Sequence, residues 1–64
     1  MNKVYVVWRY HEHEKELNSI FALHNGETIE HLKNRAKKYA DEQTSAWAED
    51  FPDDYFEVEG FETC

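Results

Sequence analysis

The chain has 64 residues, is 41% apolar and 16% aromatic, and carries 14 Asp or Glu against 7 Lys or Arg, for a net charge of −7. This length allows one small domain over residues 1–64, and so many aromatic residues exclude a chain that stays disordered for lack of burial. No apolar stretch reaches the roughly 18 residues of a membrane span, and the N-terminus lacks a basic-then-apolar signal pattern. The one cysteine, Cys64, allows no disulfide within the chain, so these features favour a cytoplasmic protein.

The charge is divided unevenly along the chain. Residues 1–40 contain five acidic and seven basic residues, whereas residues 41–64 contain nine acidic residues and no basic one. Blocks of like charge often mark disordered tails, but large apolar residues such as Trp47 and Phe56 are interleaved through this block. We therefore expect the acidic part to fold and to hold its carboxylates at fixed positions on a surface.

Residues 4–10 are β-branched or aromatic except for Arg9, which predicts a first strand. Side chains of a strand alternate between its two faces, and Lys3 and Arg9 share one face. We therefore expect Tyr5 and Val7, on that same face, to meet solvent. The residues expected in the core are Val4, Val6, Trp8 and Tyr10.

A polar segment, residues 11–16, connects this strand to a second one over residues 18–24. A hairpin centred near residues 14–15 pairs Trp8 with Phe21 across the two strands. Phe21 and Leu23 then face inward. The residues that this register turns outward are Ile20, Ala22 and His24.

A helix is predicted after the turn signal Asn25-Gly26, because apolar residues then recur with a period near 3.6. Thr28 is the expected N-cap. A helix that continued from Ile29 to Asp50 would be about 33 Å long, so we expect a break or kink at residues 43–45. The predicted apolar stripe comprises Ile29, Leu32, Ala36, Tyr39 or Ala40, Gln43 and Trp47.

Residues 50–54 read as a turn and residues 55–62 as a third strand, with Phe56 inward and Glu57 and Glu59 outward. The order is thus strand, strand, helix, strand, with the most apolar strand first. This order predicts an α+β fold with a three-stranded antiparallel sheet in the order 2-1-3 and one helix packed on one face.

A single helix leaves the other face of the predicted sheet uncovered. A half-apolar open face on so small a domain more often marks an interface than bare surface. One hypothesis is therefore a structural module that forms a homodimer through this face. The residues predicted to form the dimer contact are Tyr5, Val7 and Ile20.

The acidic block suggests a second use of the surface. Glu57 and Glu59, two apart on a strand, place their carboxylates about 6.6 Å apart, about twice the 3.4 Å spacing of charge along one strand of B-DNA. Such a surface can occupy the basic site of a nucleic-acid-handling enzyme, whereas direct binding to nucleic acid or to an anionic membrane is disfavoured by repulsion. The alternative is that the acids only keep an aromatic-rich protein soluble. The predicted partner-binding residues are Trp47, Glu49, Asp50, Asp53, Asp54, Tyr55, Glu57, Glu59, Phe61 and Glu62.

The layout itself consists of a hairpin, the segment Gly26-Glu27-Thr28-Ile29-Glu30 opening a helix, and Tyr55-Phe56-Glu57-Val58-Glu59 as a closing strand. In this layout the chain resembles small phage-encoded inhibitors of host nucleic-acid enzymes. Those proteins include RNA polymerase inhibitors of similar size and acidic inhibitors that imitate DNA. The resemblance implies an inhibitor that docks a host protein, and it carries over no functional residue.

Metal binding and catalysis are not predicted. His11 and His13 share a face if both lie on a strand, but zinc needs three or four ligands and the other candidates lie elsewhere in the predicted fold. No Ser, Thr or Cys stands at a recognisable spacing from a base, and no Gly-rich loop is present to bind phosphate. We therefore expect a non-enzymatic protein without a cofactor.

Overall fold

The computed structural model describes residues 2–63. Both strand pairings are antiparallel, and the sheet order is β2-β1-β3. The α+β fold predicted from the sequence, with its sheet order 2-1-3 and single helix, is confirmed. Cys64 lies outside the described residues. The elements in chain order are β1 (Asn2–His11), β2 (Glu14–Ala22), α1 (Ile29–Trp47) and β3 (Tyr55–Thr63).

The core lies between α1 and one face of the sheet. Val7 is fully buried and Tyr5 is 8% exposed, so the prediction that these two side chains meet solvent is wrong. Tyr5 lies opposite Gly60, where a Cβ would come within 2.8 Å of Cε1 of the Tyr5 ring. A glycine is therefore needed under this ring. The core cluster consists of Tyr5, Val7, Leu32, Ala36, Ala40 and Phe56.

The hairpin register explains why the faces of β1 are reversed from the prediction. The turn lies at residues 12–13, where Glu12 has a φ of 56°, and not at residues 14–15. This turn alone would place Val4 opposite Phe21, but a register shift between Val7 and Trp8 adds one residue to β2, so that Tyr5, rather than Trp8, lies opposite Phe21. A shift by an odd number of residues turns every side chain of a strand to the other face. Because Phe21 does pack against the core as predicted, Tyr5 is buried beside it.

A β-bulge in β2 connects this edge strand to the helix. The register shifts between Val7 and Trp8, which leaves Asn18 as the extra residue. The Tyr39 hydroxyl donates to Oδ1 of Asn18 at 2.9 Å, and the Ser19 hydroxyl donates to the Tyr39 oxygen at 3.3 Å. The bulge thus anchors the edge strand to α1 and interrupts the regular row of backbone groups that could pair with another chain.

The start of α1 matches the prediction. The connection from β2 turns at Gly26, whose φ of 83° lies in the left-handed region that favours glycine. Thr28 is the N-cap, and its Oγ1 accepts a hydrogen bond from the backbone N–H of His31 at 3.1 Å. Ile29, predicted in the apolar stripe, is 50% exposed at the first helical position.

The expected break at residues 43–45 does not occur, because α1 continues to Trp47. Nineteen residues form a helix about 28 Å long, which the molecule accommodates because it is elongated, 37 Å along its longest axis. The Thr44 hydroxyl donates to the Ala40 carbonyl at 2.9 Å and accepts from the Phe56 N–H at 3.2 Å. Across residues 2–63, no helix is both long and apolar enough to cross a membrane.

Candidate interaction surface

The sheet face opposite α1 is not covered by any element within residues 2–63. Its side chains come from alternate positions on the strands and form four rows that run from β2 through β1 to β3. This surface is referred to below as the open face. Its four rows are Lys15-Tyr10-Tyr55, Leu17-Trp8-Glu57, Ile20-Val6-Glu59 and Ala22-Val4-Phe61.

Large apolar side chains are exposed along both edges of the open face. Within residues 2–63 six large apolar residues are strongly exposed, and four of them lie here. The central strand is better protected, since Val6 between them is only 7% exposed. An exposed apolar surface of this kind typically marks a binding site. The four residues are Leu17 at 55%, Ile20 at 61%, Tyr55 at 45% and Phe61 at 40%.

Trp8 occupies the middle of the open face and is bounded by charged groups. Its indole Nε1–H donates to Oε1 of Glu59 at 2.9 Å. The Nζ of Lys15 lies 4.3 Å from the centroid of the Trp8 ring and 3.8 Å from the same Glu59 oxygen. Beside them, the rings of Tyr10 and Tyr55 stack with centroids 4.8 Å apart and an interplanar angle of 6°. The open face is therefore an aromatic strip with a carboxylate and a cation at its centre.

The structure gathers only part of the predicted partner-binding set on this face. Glu62 belongs to β3 but has the opposite parity, so it lies on the helix side of the sheet. Glu49, Asp50 and Asp53 are exposed in the segment between α1 and β3. The predicted residues that do lie on the open face are Tyr55, Glu57, Glu59 and Phe61.

Asp54 is a buried acid rather than a surface acid. Its side chain is 3% exposed and accepts hydrogen bonds from Nε and Nη2 of Arg9 at 3.2 and 2.7 Å. Nδ1 of His11 lies 2.6 Å from its other oxygen. Burial alone would raise the pKa of Asp54, but the hydrogen bonds from Arg9 and His11 outweigh burial and lower it. Asp54 is thus removed from the predicted partner surface, because its carboxylate is enclosed by its own chain.

Trp47 closes the same cluster from the helix side. The Cζ atom of Arg9 lies 4.3 Å from the centroid of the Trp47 ring, and Phe51 packs against Trp47 with ring centroids 5.4 Å apart. Trp47 therefore supports the ion pair of Arg9 with Asp54 and does not adjoin the carboxylates of the open face.

The hydrogen bond to Asp54 raises the pKa of His11 above its ordinary value.

Glu27 forms a second buried ion pair, just before the N-terminus of α1. Its side chain is 5% exposed and accepts one hydrogen bond of 2.9 Å from Arg35 on each oxygen. Nδ1 of His31 and the backbone N–H of His24 complete its partners at 2.6 and 3.0 Å. The bonds from Arg35, followed by that from His24, hold the pKa of Glu27 well below its usual range. Both arginines of the chain are thus committed to buried carboxylates.

The predicted dimer contact is only partly correct, because the two faces of β1 are reversed from the prediction. Ile20 lies on the open face, whereas Tyr5 and Val7 are enclosed beneath α1. A dimer through the open face would therefore use Ile20 together with Leu17 and Phe61.

The two histidines of the hairpin do not share a strand face. His11 ends β1 and contacts Asp54, whereas His13 lies in the turn. No group of three His, Cys, Asp or Glu within residues 2–63 is arranged to hold a metal ion.

Sequence reasoning missed Trp8, Tyr10 and Lys15 as residues of the candidate interaction surface. A two-residue turn at residues 12–13 gives the observed pairing of Tyr10 with Lys15 and of Trp8 with Leu17, but Glu12-His13 lacks the Asn-Gly or Asp-Gly pair that commonly marks such a turn. The available signal was composition, because three large aromatic or basic groups fit an interface better than a core this thin.

Comparisons of the chain with protein-family models, with curated proteins and with solved structures found no match. The fold by itself does not identify an activity, because small α+β folds serve many functions. Function is therefore inferred from the chemistry of the open face.

Proposed function

We propose that this protein is a non-enzymatic interaction module whose open face docks a partner protein with a basic surface. One observation carries the proposal: an uncovered sheet face presents exposed apolar edges around Trp8 and two carboxylates, Glu57 and Glu59. Protein interfaces typically combine a centre rich in aromatic residues with a polar rim. The open face shares the aromatic centre, with its charged groups beside Trp8 rather than in a rim around it.

Charge supports a basic partner. The protein carries a net charge of −7, and both arginines are neutralised by buried acids. On the open face, Lys15 pairs with Glu59, and no ion pair within residues 2–63 engages Glu57. Complementary charge steers association and selects the partner. A basic surface of this type is common on enzymes that handle nucleic acid, and a protein docked there would inhibit them by occupying the site, as the layout resemblance also implies. Such a complex would form in the cytoplasm.

Capture from a cell lysate tests this function. The tagged protein is incubated with nuclease-treated lysate at low and at high salt, and the retained proteins are identified by mass spectrometry. We expect basic, nucleic-acid-handling proteins to be enriched at low salt and depleted at high salt, because screening weakens charge steering. If no such protein is retained at either salt concentration, the proposal is wrong.

The exposed apolar edges favour homodimerisation as a second candidate function. Two open faces packed on each other would bury Leu17, Ile20 and Phe61, which are 40 to 61% exposed in the monomer. Light scattering at micromolar concentration would then give a dimer that Ile20→Glu converts to a monomer. Ile29→Glu is the matched control, because Ile29 is 50% exposed on α1 and not on the open face. A wild-type monomer would rule out this candidate.

A further inference from the structure

The middle of the open face already holds a cation that belongs to the chain itself. Lys15, from β2, places its Nζ 4.3 Å from the ring centroid of Trp8 and 5.8 Å from that of Tyr10. The closest carboxylate oxygen, on Glu59, is 3.8 Å away. These residues and Glu57 line a groove of about 280 Å³. The groove therefore combines aromatic faces with two carboxylates around a positive charge.

These groups have the chemistry that recognises an alkylammonium or guanidinium ion. The face of a tryptophan ring attracts cations more strongly than that of tyrosine or phenylalanine. The indole N–H of Trp8 donates to the Glu59 carboxylate at 2.9 Å, which holds this carboxylate beside the ring. Glu57 lies opposite Trp8 in the strand register, and no ion pair within residues 2–63 engages it. The site thus offers more negative charge than Lys15 neutralises.

Lys15 is bound loosely enough to be replaced. Its side chain is 44% exposed, and its distance of 3.8 Å from Glu59 is beyond hydrogen-bond range. Exposed ion pairs of this kind contribute little to stability. A cation supplied by another protein can therefore take the place of Lys15 without disturbing the fold.

We propose that this groove binds a lysine or arginine side chain of the partner protein, and that Lys15 is the internal occupant that this side chain displaces. The inference rests on the proposed function, because it names the side chain that the open face recognises. Lys15 then competes with the partner's side chain for the groove and weakens its binding.

A peptide titration followed by NMR tests the site. The probe is a glycine-flanked pentapeptide with a central lysine, acetylated at its N-terminus and amidated at its C-terminus; the control peptide carries norleucine instead. The indole N–H resonance of Trp8 reports on the groove. That of Trp47, which lies on the helix side against Arg9, is the internal reference. We expect the lysine peptide to shift the Trp8 resonance saturably and the norleucine peptide to leave it unchanged.

Matched variants separate the site from general charge attraction. Lys15→Gln should tighten peptide binding about two- to fivefold, because it removes the internal competitor. Lys33→Gln makes the same charge change on the exposed surface of α1 and should not. Likewise, Glu59→Gln should weaken binding more than Glu30→Gln, which removes a charge from the first turn of α1. Equal effects within either pair, or equal shifts with both peptides, would overturn the proposal.

The titration tests the cation site independently of the proposed function, because it requires no partner protein. Capture of a basic partner without peptide binding at Trp8 would remove the cation site and leave the interaction module. Peptide binding without a captured basic partner would leave a cation-binding groove and remove the proposed function. Circular dichroism of each variant confirms that the fold is retained.

Discussion

The helix side and the open face of the sheet use acidic residues in opposite ways. On the helix side, the carboxylates of Asp54 and Glu27 are 3 and 5% exposed, and each is bound by an arginine. On the open face, Glu59 is 50% exposed, contacts the indole of Trp8 and lies near a lysine that is itself exposed. Position within an acidic block therefore does not determine the role of an acid. What does determine it is whether the folded chain supplies a cation that encloses it.

The apolar residues of the two faces also differ in burial. The largest fully buried side chains are Leu32 and Val7, both on the helix side. The open face instead exposes Leu17 and Ile20 by more than half. Folding therefore depends mainly on the helix side, and the exposed residues at the edges of the open face can change with little cost to stability.

The largest expected effect on stability comes from replacing a leucine by alanine on the helix side, compared with the same replacement on the open face. Leu32→Ala should lower the free energy of unfolding by about 2–5 kcal/mol, because it leaves a cavity at a fully buried position. That loss is comparable with the roughly 3–10 kcal/mol expected for a domain of this size. Leu17→Ala, at a position that is 55% exposed, should cost less than about 1 kcal/mol. Urea unfolding followed by circular dichroism measures both, and equal losses would contradict the assignment of the faces.

Asp54→Asn should destabilise the protein at neutral pH more than Asp53→Asn, since Asp54 is enclosed and Asp53 is exposed. The pKa of Asp54 is lowered by folding, so its contribution is present above its unfolded pKa of about 3.9 and is lost as pH falls through the folded pKa. Wild-type protein should therefore lose stability below about pH 4, and Asp54→Asn should lose less over that interval. Chemical unfolding at a series of pH values checks this, and parallel acid profiles for the two proteins would contradict it.

The pairing of His11 with Asp54 makes a smaller contribution to stability, and this contribution is lost in the opposite pH direction. The hydrogen bond to Asp54 raises the pKa of His11, and Glu12 adds to the rise, whereas burial and Arg9 oppose it. The stabilisation is therefore complete below the unfolded pKa of about 6.5 and is lost as pH rises through the folded pKa. NMR titration of the His11 ring should give a lower pKa in Asp54→Asn than in the wild type. An unchanged pKa would show that the pair does not form in solution.

The smallest effect is expected for Lys15→Gln, which is best compared with Arg9→Gln because the two cation–tryptophan pairs have equal length. Lys15 over Trp8 and Arg9 over Trp47 both lie 4.3 Å from the ring centroid. Lys15→Gln should change the free energy of unfolding by less than about 1 kcal/mol, because this cation is exposed. Arg9→Gln should cost more, because it leaves Asp54 buried without its main partner. Thermal unfolding of both variants tests this, and a reversed order would mean that the open-face pair is structural.

The sequence predicted the elements and their order because those signals are local. Thr28 caps the helix from within one turn, and the period of Leu32, Ala36 and Ala40 marks its buried stripe. The sheet order followed from the apolar first strand. The faces of that strand could not be predicted, because β1 has large apolar groups on both of them. The assignment relies on Lys3 and Arg9, and the charge of Arg9 is neutralised by a residue 45 positions away.

The residues that β3 contributes to the open face were predicted from the sequence, whereas those from β1 and β2 at its centre were missed. Glu57 and Glu59 alternate with apolar residues, so their outward orientation was readable from period alone. Trp8 and Lys15 reach the same face only through the turn at residues 12–13 and the bulge at Asn18, and neither of these has a strong sequence signal.

Matched charge reversal tests the central claim, that the open face is the docking surface, most directly. Glu57→Lys with Glu59→Lys, and Glu30→Lys with Glu42→Lys on α1, both change the net charge from −7 to −3. Affinity for the captured basic partner is measured for each double variant at one salt concentration. We predict a loss of about tenfold or more for the open-face pair and a much smaller loss for the helix pair. Equal losses would contradict the claim, because net charge rather than a located surface would then determine binding.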